Sequence, residues 1–188
     1  DGYEADDVIG TLAKQAEKED FQVYMVTPDK DFGQLVSDNV FLYRPSRPGT
    51  GVDVMGVPEI LKKWNVERVE QVIDMLGLQG DSVDNIPGVP GIGPKTAAKL
   101  LAEFDSVEKL VDSTDQLKGK QKERLEEHRD QALLSKKLAV IETQVPIQFD
   151  AAAYKIEGQD NDRLAELFKE LEFRGLARQI LGEDKVPE

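Results

Sequence analysis

The stretch from Leu78 to Leu101 constrains this chain more than any other. It reads Leu-Gln-Gly-Asp-Ser-Val-Asp-Asn-Ile-Pro-Gly-Val-Pro-Gly-Ile-Gly-Pro-Lys-Thr-Ala-Ala-Lys-Leu-Leu. Its first half places two carboxylates, Asp81 and Asp84, at i, i+3. Its second half is a glycine-rich turn in which Gly88, Gly91 and Gly93 permit positive φ or close backbone approach. Pro94 suits the first helical position, and Ala97, Ala98, Leu100 and Leu101 favour the helix that follows. A helix N-terminus behind such a turn offers free N–H groups and a partial positive charge, a ready phosphate site. A carboxylate pair suited to divalent metals beside it points to a protein that grips nucleic acid near a metal site. The same residues also suit a plainer arrangement, with Asp81 and Asp84 as helix caps and the glycine run as a connection. No strand pattern of the dinucleotide-binding kind precedes the turn, which argues against that class.

The chain of 188 residues allows one compact domain or two small ones, and 39% hydrophobic with 32% charged residues fits a soluble globular protein. No apolar run is long enough to span a membrane, so no membrane partner is expected. The chain has no cysteine, which excludes disulfides and thiolate metal sites and is compatible with a reducing compartment. A formal net charge of −13 argues against nonspecific coating of DNA. It leaves room for DNA contact through local patches, above all where bound metal neutralises carboxylates. The first residue is Asp1 and the opening already reads as the interior of a folded unit, so a fragment is expected.

Ala5, Val8, Ile9, Leu12, Ala13 and Ala16 mark one face of a helix. Glu4, Asp6 and Asp7 crowd its start, where acidic residues complement the dipole, yet three carboxylates exceed what a cap needs and repel one another without a cation. Phe21 to Thr27 reads as a buried strand, and a helix followed by such a strand suggests an α/β unit with a parallel sheet. Asp29 and Asp31 follow it directly; in extended chain they converge at the carboxyl end of the strand, or they belong to a polar Asp-Lys-Asp turn. A helical turn is expected over Phe32–Val36, a strand over Val40–Arg44, a loop over Pro45–Gly51, a helix from Pro58 through Trp64, and another marked by Val69, Val72, Ile73 and Leu76. Trp64 is read as a packing residue.

Beyond the glycine turn, helices are expected over Thr96–Phe104, Ser106–Asp112 and Gln121–Leu138, with a strand within Ala139–Phe149. Lys95, Lys99, Lys118, Lys120 and Lys122 form either a solvated face or phosphate contacts. His128, the single histidine, reads as a surface residue of a charged helix, and no Ser/His/Asp pattern is present. Gln159–Asp162 reads as linker and cap, residues 164 to 173 as an amphipathic helix, and the tail from Gly182 as frayed.

Three segments in order carry a resemblance. They are Gly-Tyr-Glu-Ala-Asp-Asp, then Thr-Pro-Asp-Lys-Asp-Phe-Gly-Gln-Leu, then Gly-Asp-Ser-Val-Asp-Asn-Ile-Pro-Gly-Val-Pro-Gly-Ile-Gly-Pro-Lys-Thr-Ala. Together they resemble the flap endonuclease family, in particular the 5′-nuclease domains of bacterial DNA polymerase I. The resemblance implies an α/β, PIN-like nuclease core whose N-terminal half is absent here, followed by a helix–three-turn–helix DNA-binding module of the helix–hairpin–helix kind. It places part of the core in 1–77, the DNA-binding region in 78–150, and a helical segment leading to a covalently linked polymerase portion in 151–188.

The resemblance further implies a metal cluster of Glu4, Asp6, Asp7, Asp29, Asp31, Asp81 and Asp84, with Asp7, Asp29 and Asp31 catalytic. In the family two ions, Mg2+ or Mn2+, serve hydrolysis of phosphodiester bonds, and K+ often binds main-chain oxygens of the helix–three-turn–helix. Gly88, Gly91, Gly93, Lys95, Thr96 and Lys99 are the implied DNA contacts. The implied partner is DNA with 5′ flaps, nicks or gaps, or an RNA primer on DNA, in replication and repair in the bacterial cytoplasm at the nucleoid. The parent protein would also be a nucleotidyltransferase. Pro28 stands where members often have Gly. The absent half would supply the first strand, further aspartates and a basic helical arch, so the isolated chain is expected to be inactive. The alternatives are a non-catalytic duplex DNA-binding module and an acidic metal protein without nucleic acid, the latter lacking EF-hand spacing.

Overall fold

The crowded acidic start and the apolar stripe behind it form helix α1, Ala5–Lys18, in a computed structural model that describes residues 2–45 and 51–182. The Glu4 N–H donates to Asp7 Oδ2 at 3.2 Å, so part of the acidic cluster does cap this helix. Strand β1 (Val23–Val26) follows, then a 3-10 helix over Asp31–Leu35, then β2 (Val40–Pro45) and β3 (Val52–Met55). β1 and β2 pair in parallel from Val23 opposite Val40, with the 3-10 helix inside their crossover, as the α/β reading requires. β3 was not foreseen; it pairs antiparallel with β2, Leu42 opposite Met55, because the connection between them is short enough only for a hairpin-like return. The expected loop over residues 45–51 lies largely outside the described residues.

Helices α2 (Val57–Trp64), α3 (Gln71–Gln79), α4 (Pro94–Phe104) and α5 (Val107–Asp112) come next. α6 (Gly119–Glu127) and α7 (Arg129–Ala139) replace the single helix expected over Gln121–Leu138. The break falls at His128, whose N–H closes α6 on the Arg124 carbonyl at 2.9 Å while its own carbonyl accepts from Ala132 N–H at 2.9 Å to open α7. His128 is therefore a half-buried junction, not a residue within an exposed helix.

α3 is the hub of the first unit. Its Val72, Leu76 and Leu78 are fully buried, and it packs against α4, α7 and the 3-10 helix. Helix α7 can lie this close because residue 77 is Gly: a Cβ there would come within 2.9 Å of the Lys136 Cα. Buried Asp74 on α3 accepts from the Val107 N–H at 2.8 Å and from the Lys136 ammonium at 2.6 Å. Trp64 is buried in the same core, as a packing residue.

Ala139–Phe149 contains no strand. Its backbone is bonded by side chains instead of by a neighbouring strand. Gln34 donates to the Ala139 carbonyl and accepts from Ile141 N–H, each at 2.9 Å; Asp7 Oδ1 accepts from Glu142 N–H at 2.9 Å. Thr11 accepts from Val145 N–H at 3.1 Å, and Gln15 bonds the Ile147 carbonyl and the Phe149 N–H at 2.8 and 2.7 Å. The segment is thereby strapped along α1.

Contacts divide the chain into Asp1–Phe149 and Asp150–Glu188. The second unit holds α8 (Asn161–Glu170), N-capped by the Asp160 carboxylate, which accepts from Arg163 N–H at 3.0 Å, and α9 (Arg174–Leu181). Phe168 and Ala177 are its buried residues. The expected frayed tail lies mostly outside the described residues. No helix among the described residues is long and apolar enough to cross a membrane.

Candidate active site

The carboxylates arrive from three directions. Asp81 leaves the end of α3 through Gly80 and pairs its backbone with Ile86, N–H to carbonyl at 2.9 Å and carbonyl to N–H at 2.7 Å. This two-bond closure pins residues 82–85 into a tight loop with Asn85 at φ +57° and sets Asp84 at its exposed side. Asp31 opens the 3-10 helix; its N–H donates to Asp29 Oδ1 at 2.9 Å, and the Asp29 N–H donates to Thr27 Oγ1 at 3.1 Å. The polar-turn reading of Asp29 is thus part of the geometry, since that carboxylate folds back on the backbone that presents Asp31. Asp31, Asp81 and Asp84 each bring an oxygen within 4.8 Å of the others.

Glu4, Asp6 and Asp7 come from the start of α1. With Asp31 and Asp84 they line a cavity of about 250 Å3 whose other wall is apolar, Ile86 and residues 138–141. Asp29 faces an adjoining cavity, which shares Asp84. Asp7 has both oxygens engaged, one on the Glu4 N–H and the other on the Glu142 N–H.

The electrostatics follow from this crowding. Burial pushes the Asp31 carboxyl up to about 6; Lys30 opposes the rise, and Asp29 and Asp81 add to it. Asp6 is raised by burial and then by the charges of Asp29, Glu4, Asp84 and Asp7. Burial would raise Asp81 too, but the Lys30 ammonium and the Val83 N–H on its oxygens win and lower it. Asp31 Oδ1 is buried and has no hydrogen-bond partner; the Lys30 ammonium is 3.2 Å away but not in hydrogen-bonding alignment. A buried carboxylate oxygen with no hydrogen bond, its charge and those of Asp29 and Asp81 opposed locally by a single ammonium, fits a hard divalent cation, whose natural ligands are oxygens.

The glycine turn follows at once and leads into α4. Gly88 is buried at φ +60°, its N–H donating to Ser135 Oγ at 3.0 Å and its carbonyl accepting from Gln131 at 2.6 Å. A Cβ there would lie 2.3 Å from the Gly80 nitrogen, so this glycine packs the turn onto the end of α3 and has no N–H to give a phosphate. Gly91 is exposed at φ +79°, with its carbonyl accepting from Arg124 at 3.3 Å. Two main-chain oxygens of the turn that could face a monovalent cation are therefore engaged by side chains. Gly93 is the exposed N-cap of α4; no side chain caps this end, and Lys95 and Lys99 are exposed along the helix, with Thr96 half-buried. The open end of α4 is what the turn offers an anion.

Sequence reasoning missed Lys30 as the counter-charge that bridges Asp31 and Asp81. Its position between two aspartates was the available signal. It also missed Arg44 and Lys63, which come from β2 and α2 with no shared motif.

Two family profiles cover most of the chain: 5′-3′ exonuclease, N-terminal resolvase-like domain, over residues 1–67, and 5′-3′ exonuclease, C-terminal SAM fold, over residues 67–162. DNA polymerase I of Bacillus subtilis is 48% identical over 98% of this chain, and that of Rhizobium leguminosarum 40% identical over 96%. The chain spans about a fifth of the length of these relatives, 21% and 17%. Among solved structures, the T5 5′-exonuclease with bound divalent zinc ions matches with TM-score 0.66 and 28% identity, over 76% of this chain and 51% of that one. The bacteriophage T5 flap endonuclease in a pseudo-enzyme–product complex with DNA and metal ions matches with TM-score 0.64 and 27% identity, over 76% and 50%. The catalytic core of Rad2 with DNA substrate, at 18% identity and TM-score 0.59 over 86% of this chain and 55% of that one, shares the fold. The mixed α/β core with its small sheet, the SAM-like turn-and-helix region and these matches agree: the chain belongs to the 5′-3′ exonuclease family of DNA polymerase I and the flap endonucleases.

Proposed function

We propose that this chain is the metal-binding and DNA-gripping portion of a 5′→3′ exonuclease and flap endonuclease that hydrolyses phosphodiester bonds at 5′ flaps, nicks and RNA primers during DNA replication and repair. The polymerase portion would be joined to it, as the DNA polymerase I relatives suggest. The observation that carries the reading is the convergence of Asp31, Asp81 and Asp84 within 4.8 Å, with one buried Asp31 oxygen lacking a hydrogen bond. Asp31, Asp81 and Asp84 would hold one hard cation, Mg2+ or Mn2+, and Glu4, Asp6, Asp7 and Asp29 would complete a two-ion site. Bound ions of this kind supply an activated water and stabilise charge on the attacked phosphate and the leaving oxygen.

The chain's own residues do the rest. Lys30 holds Asp81 in place and offsets part of the repulsion on Asp31. Asp7 ties the start of α1 to the segment at Glu142, which steadies one wall of the cavity. Ile86, Ala139 and Ile141 supply the buried apolar part of the cavity lining. The uncapped N-terminus of α4, with Lys95 and Lys99, takes a duplex phosphate without reading bases.

The test is Mg2+-dependent cleavage of a labelled 5′-flap duplex by the polypeptide extended to the length of its relatives. Parent protein should cut and the double variant Asp81→Asn, Asp84→Asn should bind the flap but not cut it. Equal cleavage by the double variant would refute the metal reading. A parent that binds duplex and never cuts would leave a DNA-binding module.

A further inference from the structure

Beside the carboxylate cluster lies a second cavity, of about 460 Å3, with a different lining. Asp84 belongs to both. Asp29, Lys30, Arg44, Lys63 and Val83 form much of the rest. Arg44 stands at the far end of β2 and Lys63 in the last turn of α2, so the fold brings them together from separate elements. Lys30 is already committed to Asp31 and Asp81. Among the described residues, neither Arg44 nor Lys63 forms an ion pair, although Asp53 lies opposite Arg44 in the β2–β3 register. Arg44 Nε is buried with no hydrogen-bond partner. Partial desolvation, and then the charge of Arg44, lower the pKa of Lys63.

A protein keeps a buried guanidinium N–H unpaired at a cost, and the charge of Arg44 acts on Lys63 more strongly than the opposing charge of Asp53, so their repulsion is only partly offset. An anion in this cavity removes both penalties at once. Guanidinium and ammonium together are the pair that suits a phosphate, the fork giving geometry and the ammonium charge. On the basis of the nuclease reading above, we propose that Arg44 and Lys63 form a phosphate subsite, which binds the DNA backbone phosphate next to the one presented to Asp31, Asp81 and Asp84. Asp29 and Asp84 on the same wall oppose an anion, so the subsite works when a divalent cation neutralises the carboxylates.

The test uses this chain with Ca2+ as the hard cation and a fluorescently labelled nicked duplex, with binding read by anisotropy at several KCl concentrations. Arg44→Gln and Lys63→Gln should each weaken binding and flatten the slope of log affinity against log salt, and the double variant should flatten it by about 0.9, the loss of one phosphate contact. Lys63→Arg should keep the parent slope. Trp64 fluorescence during urea unfolding checks that each variant is folded; if Arg44→Gln is not, Lys63→Gln at its exposed position decides. Parent-like affinity and slope in folded Lys63→Gln would overturn the subsite while leaving the nuclease reading standing. A parent chain that binds no duplex at any salt would overturn both.

Discussion

Replacing Lys136 by Met separates a buried charge from its partner while keeping most of the side-chain volume. Asp74 is 3% exposed and accepts from two groups, the Lys136 ammonium at 2.6 Å and the Val107 N–H at 2.8 Å. Breaking a buried pair by removing one partner costs about 3–5 kcal/mol, because the other charge is left uncompensated. Val107 still bonds the orphaned carboxylate, and the Lys136 side chain is 20% exposed, so water reaches the vacated place. Both considerations favour the lower end, about 3 kcal/mol. The second Lys136 contact, at 2.7 Å to a half-exposed Glu108, adds at most about 1 kcal/mol. Trp64, the single tryptophan, is buried in the same core and reports urea unfolding. For a slope of about 2 kcal/mol per molar urea, the midpoint should fall by about 1.5 M. The double variant Lys136→Met, Asp74→Asn removes the charge and keeps an acceptor for Val107, so it should be more stable than Lys136→Met alone. A single variant within about 0.5 kcal/mol of the parent, the range of ordinary surface changes, would refute the assignment of this pair as a stabilising link between α3, α5 and α7.

Gly88→Ala combines a positive φ with a Cβ 2.3 Å from backbone, so it should lower the thermal midpoint markedly, as read by circular dichroism. In EDTA, Asp31 should make stability fall as pH rises from 3.8 to about 6: its folded-state carboxyl is raised, so the fold favours the protonated form, and that advantage is complete below the lower value and lost through the upper. Urea midpoints across that range, parent against Asp31→Asn, check the sign; a pH profile unchanged by the substitution would contradict it. Mn2+ should raise the thermal midpoint of the chain by mass action, and Asp81→Asn with Asp84→Asn should shrink that rise; an equal rise would show that the pair contributes little. Lys95→Ala should weaken binding of nicked duplexes of different sequence about equally, and Gly91→Val should damage it through the backbone at φ +79°; parent-like anisotropy curves for both folded variants would make the turn a connector.

The sequence by itself determined most local elements and the acidic character of the candidate site. The apolar stripe of α1, the Val/Tyr/Met run of β1 and Pro94 ahead of Ala97 and Leu101 each carry their signal within one or two turns of chain, so these elements formed near where the pattern places them, although β1 is shorter than the expected stretch and, contrary to the buried-strand expectation, only its Met25 is buried. The places of the seven carboxylates in the local structure were legible because each sits at a landmark: the start of a helix, the end of a strand, the exit before a glycine turn; that Asp31, Asp81 and Asp84 converge was decided by packing. Tertiary structure decided what depends on partners distant in the chain. Ala139–Phe149 has strand-like residues, but the side chains of Thr11, Gln15 and Gln34 satisfy its backbone, and no ladder forms. Gly88 looked like a phosphate contact because its residue type says only that close approach is allowed; that the approaching backbone is Gly80 and the acceptor of its N–H is Ser135 is set by the packing of α3 and α7. Lys30 between Asp31 and Asp81, and Arg44 beside Lys63, are likewise products of packing. Periodicity and turn chemistry act over a few residues, whereas the partner of a charge or of a buried N–H is chosen by whichever element the folded core brings against it.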